Sequence, residues 1–102
     1  MDNLTLVIPA KYEVSTLPIV LKELEKYRVN KIIVIPEYDE ETHDAIKNFD
    51  CNIVKQKGEG FGSALIEGIE KVKTKYLQSI NLLKKPENKH RKIKIYPKKI
   101  FN

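Results

Sequence analysis

The sequence has few of the residues that form disulfides or bind metals. It contains a single cysteine, Cys51, and two histidines, His43 and His90. One cysteine cannot form an intrachain disulfide, and the spacing of these three residues matches no metal-binding motif. We therefore expect Cys51 to be a half-buried strand residue and the chain to hold no metal site.

Long hydrophobic runs are also missing. The longest apolar runs, such as Ile32–Pro36, are far shorter than the roughly 18 residues that a membrane span needs. The N-terminus lacks a basic region followed by an apolar signal core. We therefore expect a cytoplasmic protein without a transmembrane segment.

Length and charge allow one small domain and a basic C-terminal segment. With 102 residues, of which 41% are hydrophobic, the chain can bury one core. Residues 1–83 carry 11 basic and 13 acidic side chains, whereas residues 84–102 carry 8 basic and 1 acidic. One hypothesis is that this basic segment binds RNA, DNA or an anionic lipid through charge. It contains no recognised nucleic-acid motif and solvated termini are often charged, so nucleic acid is not the partner we expect.

Hydrophobic periodicity predicts alternating strands and helices. Short apolar runs rich in β-branched residues predict buried parallel strands, and apolar residues at helical spacing predict the segments between them. The predicted strands are Leu4–Ala10, Lys31–Glu37 and residues 51–56, and the predicted helices span residues 16–27, 39–49 and 63–76. This βαβαβα order indicates a three-layer, Rossmann-like α/β fold with a mainly parallel open sheet. We expect this domain over residues 1–77 and a basic tail over residues 78–102.

A glycine-rich loop, KGEGFG, precedes the third predicted helix. Backbone N–H groups and the positive end of the helix dipole could hold an anion there, beside the charge of Lys57. The loop lacks the Gly-Lys-Ser/Thr of a P-loop. A dinucleotide-binding fingerprint would follow the first strand, whereas this loop follows the third. The sequence therefore allows two roles for this loop: it contacts a phosphate, or it is a simple turn.

Two further loops follow the first and second predicted strands, at the sheet edge where ligands bind in open α/β folds. They read PAKYE, from Pro9 to Glu13, and PEYDEE, from Pro36 to Glu41. Each places a tyrosine beside carboxylates, which could stack on a base and accept hydrogen bonds from a ribose or base. Acidic residues at a helix start are equally typical of ordinary capping.

Three segments in the correct order resemble family 2 glycosyltransferases, over roughly residues 4–77. They are LVIPAKYEVSTLPIVLKEL, KIIVIPEYDEETHDAI and GFGSALIEGI, which are similar to the family's IPAxNE-like turn, its second strand and its GxGxALxxGI segment. The resemblance implies a GT-A type fold that binds a nucleoside diphosphate or nucleotide sugar, with Mg²⁺ or Mn²⁺ as the family's metal. It implies that Pro9, Ala10, Tyr12 and Glu13 border the nucleoside, that Glu37 lies near the base, and that Gly60 and Gly62 border the nucleotide cleft. With Lys11 and Lys57 added from the loops above, these residues form our predicted nucleotide site.

The sequence also departs from the family pattern. Tyr12 stands where the family has asparagine, Phe61 replaces a basic residue, and the Asp-Asp-Gly-Ser segment is Pro36–Asp39. The sequence contains no aspartate after Asp50, so the family's metal-binding Asp-x-Asp pair is missing. We therefore predict an incomplete, glycosyltransferase-like binding domain with no catalytic residue, no metal ligand and no cofactor of its own.

Ending the family pattern at Tyr76 predicts an open sheet edge along the first strand, since the family's fourth strand would pair there. An open edge favours association, so a homodimer is one expected consequence. The alternating segment Arg91–Pro97 could instead cover this edge as an added strand, or the tail could be disordered.

Overall fold

A computed structural model of the chain describes residues 3–82 and the backbone of residues 98–99. It contains a five-stranded sheet in the order β3-β2-β1-β4-β5, in which β1 to β4 run parallel and β5 pairs antiparallel with β4. The strands are β1 (Leu4–Pro9), β2 (Asn30–Pro36), β3 (Asn52–Gln56), β4 (Tyr76–Ser79) and β5 (Lys98–Lys99). The helices are α1 (Thr16–Leu24), α2 (Glu40–Ile46) and α3 (Gly60–Ile69). The predicted Rossmann-like α/β fold is therefore confirmed.

The two central strands are buried because helices cover both faces of the sheet. All six residues of β1 are buried, which explains why its sequence is continuously apolar rather than alternating. The larger core packs Leu6, Ile8 and Ile33 against Leu17 and Leu21 of α1. No helix among residues 3–82 is both long enough and apolar enough to cross a membrane.

Helix α3 lies close to the opposite face of the sheet because one of its residues has no side chain. A Cβ atom at Gly68 would stand 2.5 Å from Cγ1 of Val7 and 2.8 Å from Cγ2 of Val34. These distances are shorter than any tolerated carbon contact, so glycine sets the spacing between α3 and the strands β1 and β2. The smaller core of Val7, Val34 and Ala64 fills this interface.

The predicted extent of the third helix was wrong. Helix α3 ends at Ile69, and Tyr76 begins β4, which pairs parallel with β1 from Leu4 to Val7. The apolar spacing of Leu65, Ile69, Val72 and Tyr76 continues the helical period past the true end of the helix, which is why periodicity alone misplaced it.

The fourth strand also overturns the expected open edge. Because β4 covers β1, the first strand has no unpaired edge through which a homodimer could form. The predicted domain boundary at residue 77 falls within β4. The segment Arg91–Pro97 lies outside the described residues, while Lys98–Lys99 pairs with β4 rather than with β1.

Cys51 is half-buried, as expected, but it lies one residue before β3 rather than in a strand. Burial raises the pKa of its thiol. The neutral thiol is therefore favoured, which suits a packing residue better than a nucleophile.

Candidate functional site

A cavity of about 310 Å³ opens at the carboxyl ends of β1, β2 and β3. Its walls come from the loop between β1 and α1, the loop between β2 and α2, and the loop that leads from β3 into α3. We call this cavity the cleft. Its position matches the sheet edge at which open parallel α/β folds bind ligands.

The predicted nucleotide site is only partly assembled in the cleft. Six of the nine predicted residues line it: Pro9, Ala10, Lys11, Tyr12, Glu13 and Gly60. The other three, Glu37, Lys57 and Gly62, are exposed and do not line it. In the turn after β2 the N–H of Asp39 donates to the carbonyl of Pro36 at 3.0 Å, and Tyr38 rather than Glu37 reaches the cleft.

Hydrogen bonds to Asp39 connect the loop between β1 and α1 to the start of α2. The Asp39 Oδ2 atom accepts hydrogen bonds from the N–H of Tyr12 at 2.6 Å and from the hydroxyl of Thr42 at 2.7 Å. Asp39 is also the N-cap of α2, where its Oδ1 accepts from the N–H of Thr42 at 3.3 Å. The Thr42 hydroxyl oxygen in turn accepts from the N–H of Glu13 at 3.2 Å.

The hydrogen bond to Asp39 holds the backbone of Tyr12 in an uncommon conformation. Tyr12 has φ 55, in the left-handed region that non-glycine residues rarely adopt. Asp39 is only 3% exposed. Burial opposes its ionisation, but the hydrogen bonds from Tyr12 and Thr42 outweigh burial and hold the pKa of Asp39 below its ordinary value. An ionised, buried carboxylate therefore fixes the shape of the loop.

Two tyrosines and a lysine form an exposed rim at the mouth of the cleft. The rings of Tyr12 and Tyr38 are 65% and 62% exposed, and their centroids lie 6.2 Å apart at 50°. The Nζ atom of Lys11 lies 5.7 Å from the Tyr12 ring centroid and 5.9 Å from that of Tyr38. A hydrogen bond with the Tyr38 side chain raises the pKa of Lys11. The rim thus offers aromatic faces on which a planar ligand can stack, beside a positive charge.

The glycine loop after β3 is held by Glu67 of α3. The Glu67 Oε1 atom accepts from the N–H of Lys57 at 2.7 Å, and Oε2 accepts from the N–H of Gly58 at 2.9 Å and from the hydroxyl of Ser63 at 3.0 Å. The hydrogen bonds from Lys57 and Gly58 lower the pKa of Glu67. The backbone amides of Lys57 and Gly58 therefore already bind an anion that belongs to the chain itself.

Gly60 is required by its backbone conformation, and Gly58 leaves the space that the Ser63 hydroxyl occupies. Gly60 has φ 87, where an L-residue would be strained, and its carbonyl accepts from Nε2 of Gln56 at 3.0 Å. A Cβ atom at Gly58 would stand 2.1 Å from the hydroxyl oxygen of Ser63 and 3.3 Å from Oε2 of Glu67. Gly62, in contrast, has open space around the position of a Cβ atom.

The charged groups that line the cleft do not favour a strongly anionic ligand. They are the ammonium of Lys11 and the carboxyl groups of Glu13 and Glu59. Glu13 is buried, whereas Glu59 is exposed at the entrance to α3. Most of the remaining lining is aromatic or aliphatic, including Phe61 and Leu82.

Among residues 3–82 there is no group of three or more histidine, cysteine, aspartate or glutamate side chains that could hold a metal ion.

Sequence reasoning missed several residues of the cleft. Tyr38, Glu59 and Phe61 stand in loops that the sequence already marked, so their position beside predicted residues was a usable signal. Leu82 follows β4, a strand that periodicity did not predict, so no local pattern pointed to it.

Comparison of the sequence with protein-family models gave no match, and comparison with curated proteins also gave no match.

Proposed function

We propose that the chain is a nucleotide-binding domain of the glycosyltransferase-like kind, whose ligand is a nucleoside diphosphate or nucleotide sugar. The observation that carries this proposal is the cleft itself, where loops from three neighbouring parallel strands converge at the carboxyl edge. Its volume of about 310 Å³ is at the lower end of the roughly 300–1,000 Å³ typical of small-molecule sites. The sequence resemblance supports the same ligand class.

In this proposal the base of the nucleotide contacts the tyrosine rim. Tyr12 and Tyr38 offer two exposed rings, tilted by 50° to each other, so a planar base can lie against one ring and touch the edge of the other. Lys11 can donate to a sugar hydroxyl or a phosphate from its place beside both rings. The apolar lining from Ala10, Phe61 and Leu82 buries the remaining face of the ligand.

We also propose that this chain alone transfers no sugar. Family 2 chemistry requires neutralisation of a leaving diphosphate, and the sequence has no aspartate after Asp50 to form a metal-binding pair. Assays with a panel of nucleotide sugars and lipid or glycan acceptors should therefore stay at background. Turnover that is lost in a Glu13→Ala variant would overturn this proposal.

The test of binding is calorimetry of the full chain with UDP, GDP, uridine and guanosine, supported by thermal melts in millimolar ligand. We expect the ligands of one base, either the uracil pair or the guanine pair, to bind and to raise the melting temperature. A Tyr38→Ala variant should weaken binding about tenfold, because stacking on one ring contributes roughly 1–3 kcal/mol. Ile19→Ala is the matched control, since Ile19 is 69% exposed on α1 and does not line the cleft.

The outcomes separate clearly. Binding that weakens in Tyr38→Ala but not in Ile19→Ala supports the cleft as the site. If no nucleoside or nucleotide binds, with or without Mn²⁺, the proposed function is wrong.

A further inference from the structure

The carboxylate of Glu67 takes the position that a phosphate group would take in a glycine-rich loop. It accepts from two successive backbone N–H groups, those of Lys57 and Gly58, and from the hydroxyl of Ser63. Successive backbone amides that converge on one anion form a typical phosphate-binding arrangement. Here the anion is an internal side chain, brought back to the loop by the first turns of α3.

The loop is shaped around this carboxylate. Gly58 lines the cleft, but its N–H donates to Glu67, which does not line the cleft. The amide is therefore turned away from a ligand in the cleft while Glu67 holds it. A side chain at Gly58 would collide with the Ser63 hydroxyl that completes the contact. Gly58 therefore leaves the Ser63 hydroxyl in place, while Gly62, inside α3, has open space at the position of a Cβ atom.

We propose that Glu67 determines specificity at the cleft by occupying the amides of Lys57 and Gly58 in place of a ligand phosphate. A nucleoside diphosphate then binds mainly through its base and sugar, and its phosphates add little to the affinity. This inference rests on the proposed nucleotide site for its biological meaning, but its central test needs only an inorganic anion.

The lining of the cleft agrees with this proposal. Its formal charges are one ammonium, Lys11, against two carboxyl groups, Glu13 and Glu59. The Lys57 side chain is exposed and lies outside the lining. A diphosphate would therefore meet more negative than positive charge, whereas an uncharged nucleoside would not.

The first experiment follows the backbone amides of Lys57 and Gly58 by NMR during titration with pyrophosphate at constant ionic strength. In the wild-type chain we expect no saturable shift at millimolar pyrophosphate. In Glu67→Ala both amides should shift saturably, because the internal anion is gone. Glu67→Gln serves as the second variant, since its amide oxygen can still accept one hydrogen bond and keep the loop in place while the charge is lost.

The matched control is Glu70→Gln, which removes the same charge from an exposed residue just beyond α3 that does not line the cleft. It should behave as wild type. A wild-type chain whose two amides bind pyrophosphate as well as those of Glu67→Gln overturns the proposal. So does the absence of a saturable shift in both Glu67 variants.

The second experiment compares UDP with uridine, and GDP with guanosine, by calorimetry. In the wild-type chain each pair should bind with similar Kd. In Glu67→Gln the ratio of nucleoside Kd to diphosphate Kd should rise about tenfold, the effect of one charge-assisted hydrogen bond of roughly 1.4 kcal/mol. An unchanged ratio overturns the proposal. If none of the four ligands binds, the proposed function fails, and the pyrophosphate titration still decides the role of Glu67.

Discussion

Two of the loops that border the cleft are each held by a carboxylate that accepts backbone N–H groups, but the two carboxylates lie in different surroundings. Asp39 is 3% exposed and joins the loop after β1 to the start of α2. Glu67 joins the loop after β3 to α3, and its bonds to Lys57 and Gly58 lie at the surface. The donor groups and distances are similar, so burial and the helix cap made by Asp39 are the main differences between the two carboxylates.

Because Asp39 is buried, its hydrogen bonds are part of the fold. The hydrogen bonds of Glu67 to Lys57 and Gly58 lie at the surface, so water or an ion can replace this carboxylate. If Asp39 is removed, the buried hydroxyl of Thr42 loses its partner away from water, which carries the full cost of an unsatisfied polar group. The partly buried N–H of Tyr12 loses its partner as well. If Glu67 is removed, water or a dissolved anion can take its place on the loop amides. The same chemistry therefore supplies rigidity at one side of the cleft and exchangeability at the other.

The largest expected effect is the loss of Asp39. An Asp39→Ala variant should lower the free energy of unfolding by about 2–4 kcal/mol, because it removes a helix cap and hydrogen bonds to a buried charge. Asp39→Asn keeps an acceptor oxygen at the cap and should lose less. Urea unfolding monitored by circular dichroism measures both. A loss below about 0.5 kcal/mol, the size of an ordinary surface substitution, would contradict a fixed role for this residue.

A smaller effect is expected from the glycines of the second loop. Gly58→Ala should lower the free energy of unfolding by about 1 kcal/mol, because the new methyl group displaces Ser63 and the bonds of Glu67. Gly62→Ala is its control: the position is open and lies inside α3, so alanine should be neutral or stabilising by up to about 1 kcal/mol. Equal losses in the two variants would show that the loop is not shaped around Glu67.

The central strands could be predicted from sequence, and β4 could not. The runs that became β1 and β2 are buried on both faces, so their continuous apolar composition is a direct consequence of their place in the sheet. Strand β4 is short and only partly buried, and its first residue, Tyr76, also continues the helical spacing of α3. With two periods consistent with the same residues, only pairing with β1 decides between them.

The contacts that shape the cleft were beyond sequence reasoning for a different reason. Asp39 was predicted to start a helix, and it does, but its bond to the N–H of Tyr12 spans 27 positions of the chain. Local patterns describe the cap and not the distant partner.

The response to acid should also separate the two carboxylates. The pKa of Asp39 lies below its ordinary value of 3.8, so its contribution to stability is complete above that pH and is lost as the pH falls through the lower, folded-state pKa. The pKa of Glu67 is also lowered from its ordinary value of 4.5, but its hydrogen bonds to Lys57 and Gly58 lie at the surface. We expect the loss of stability as the pH falls below 3.8 to be smaller in Asp39→Asn than in wild type, and nearly unchanged in Glu67→Gln. Acid unfolding curves of the three proteins test this, and parallel curves for wild type and Asp39→Asn would contradict it.

The smallest expected effect concerns the protection of single backbone amides. Hydrogen exchange reports the opening of each contact separately, and exposed hydrogen bonds open at low cost compared with buried ones. The amide of Tyr12, held by Asp39, should therefore exchange more slowly than the amide of Gly58, held by Glu67. In Glu67→Gln the amides of Lys57 and Gly58 should exchange a few-fold faster while that of Tyr12 is unchanged. Glu70→Gln should alter none of them. If the exchange rate of the Tyr12 amide rises together with that of Gly58, the two loops open as one unit. The proposed difference in stability between the two loops is then wrong.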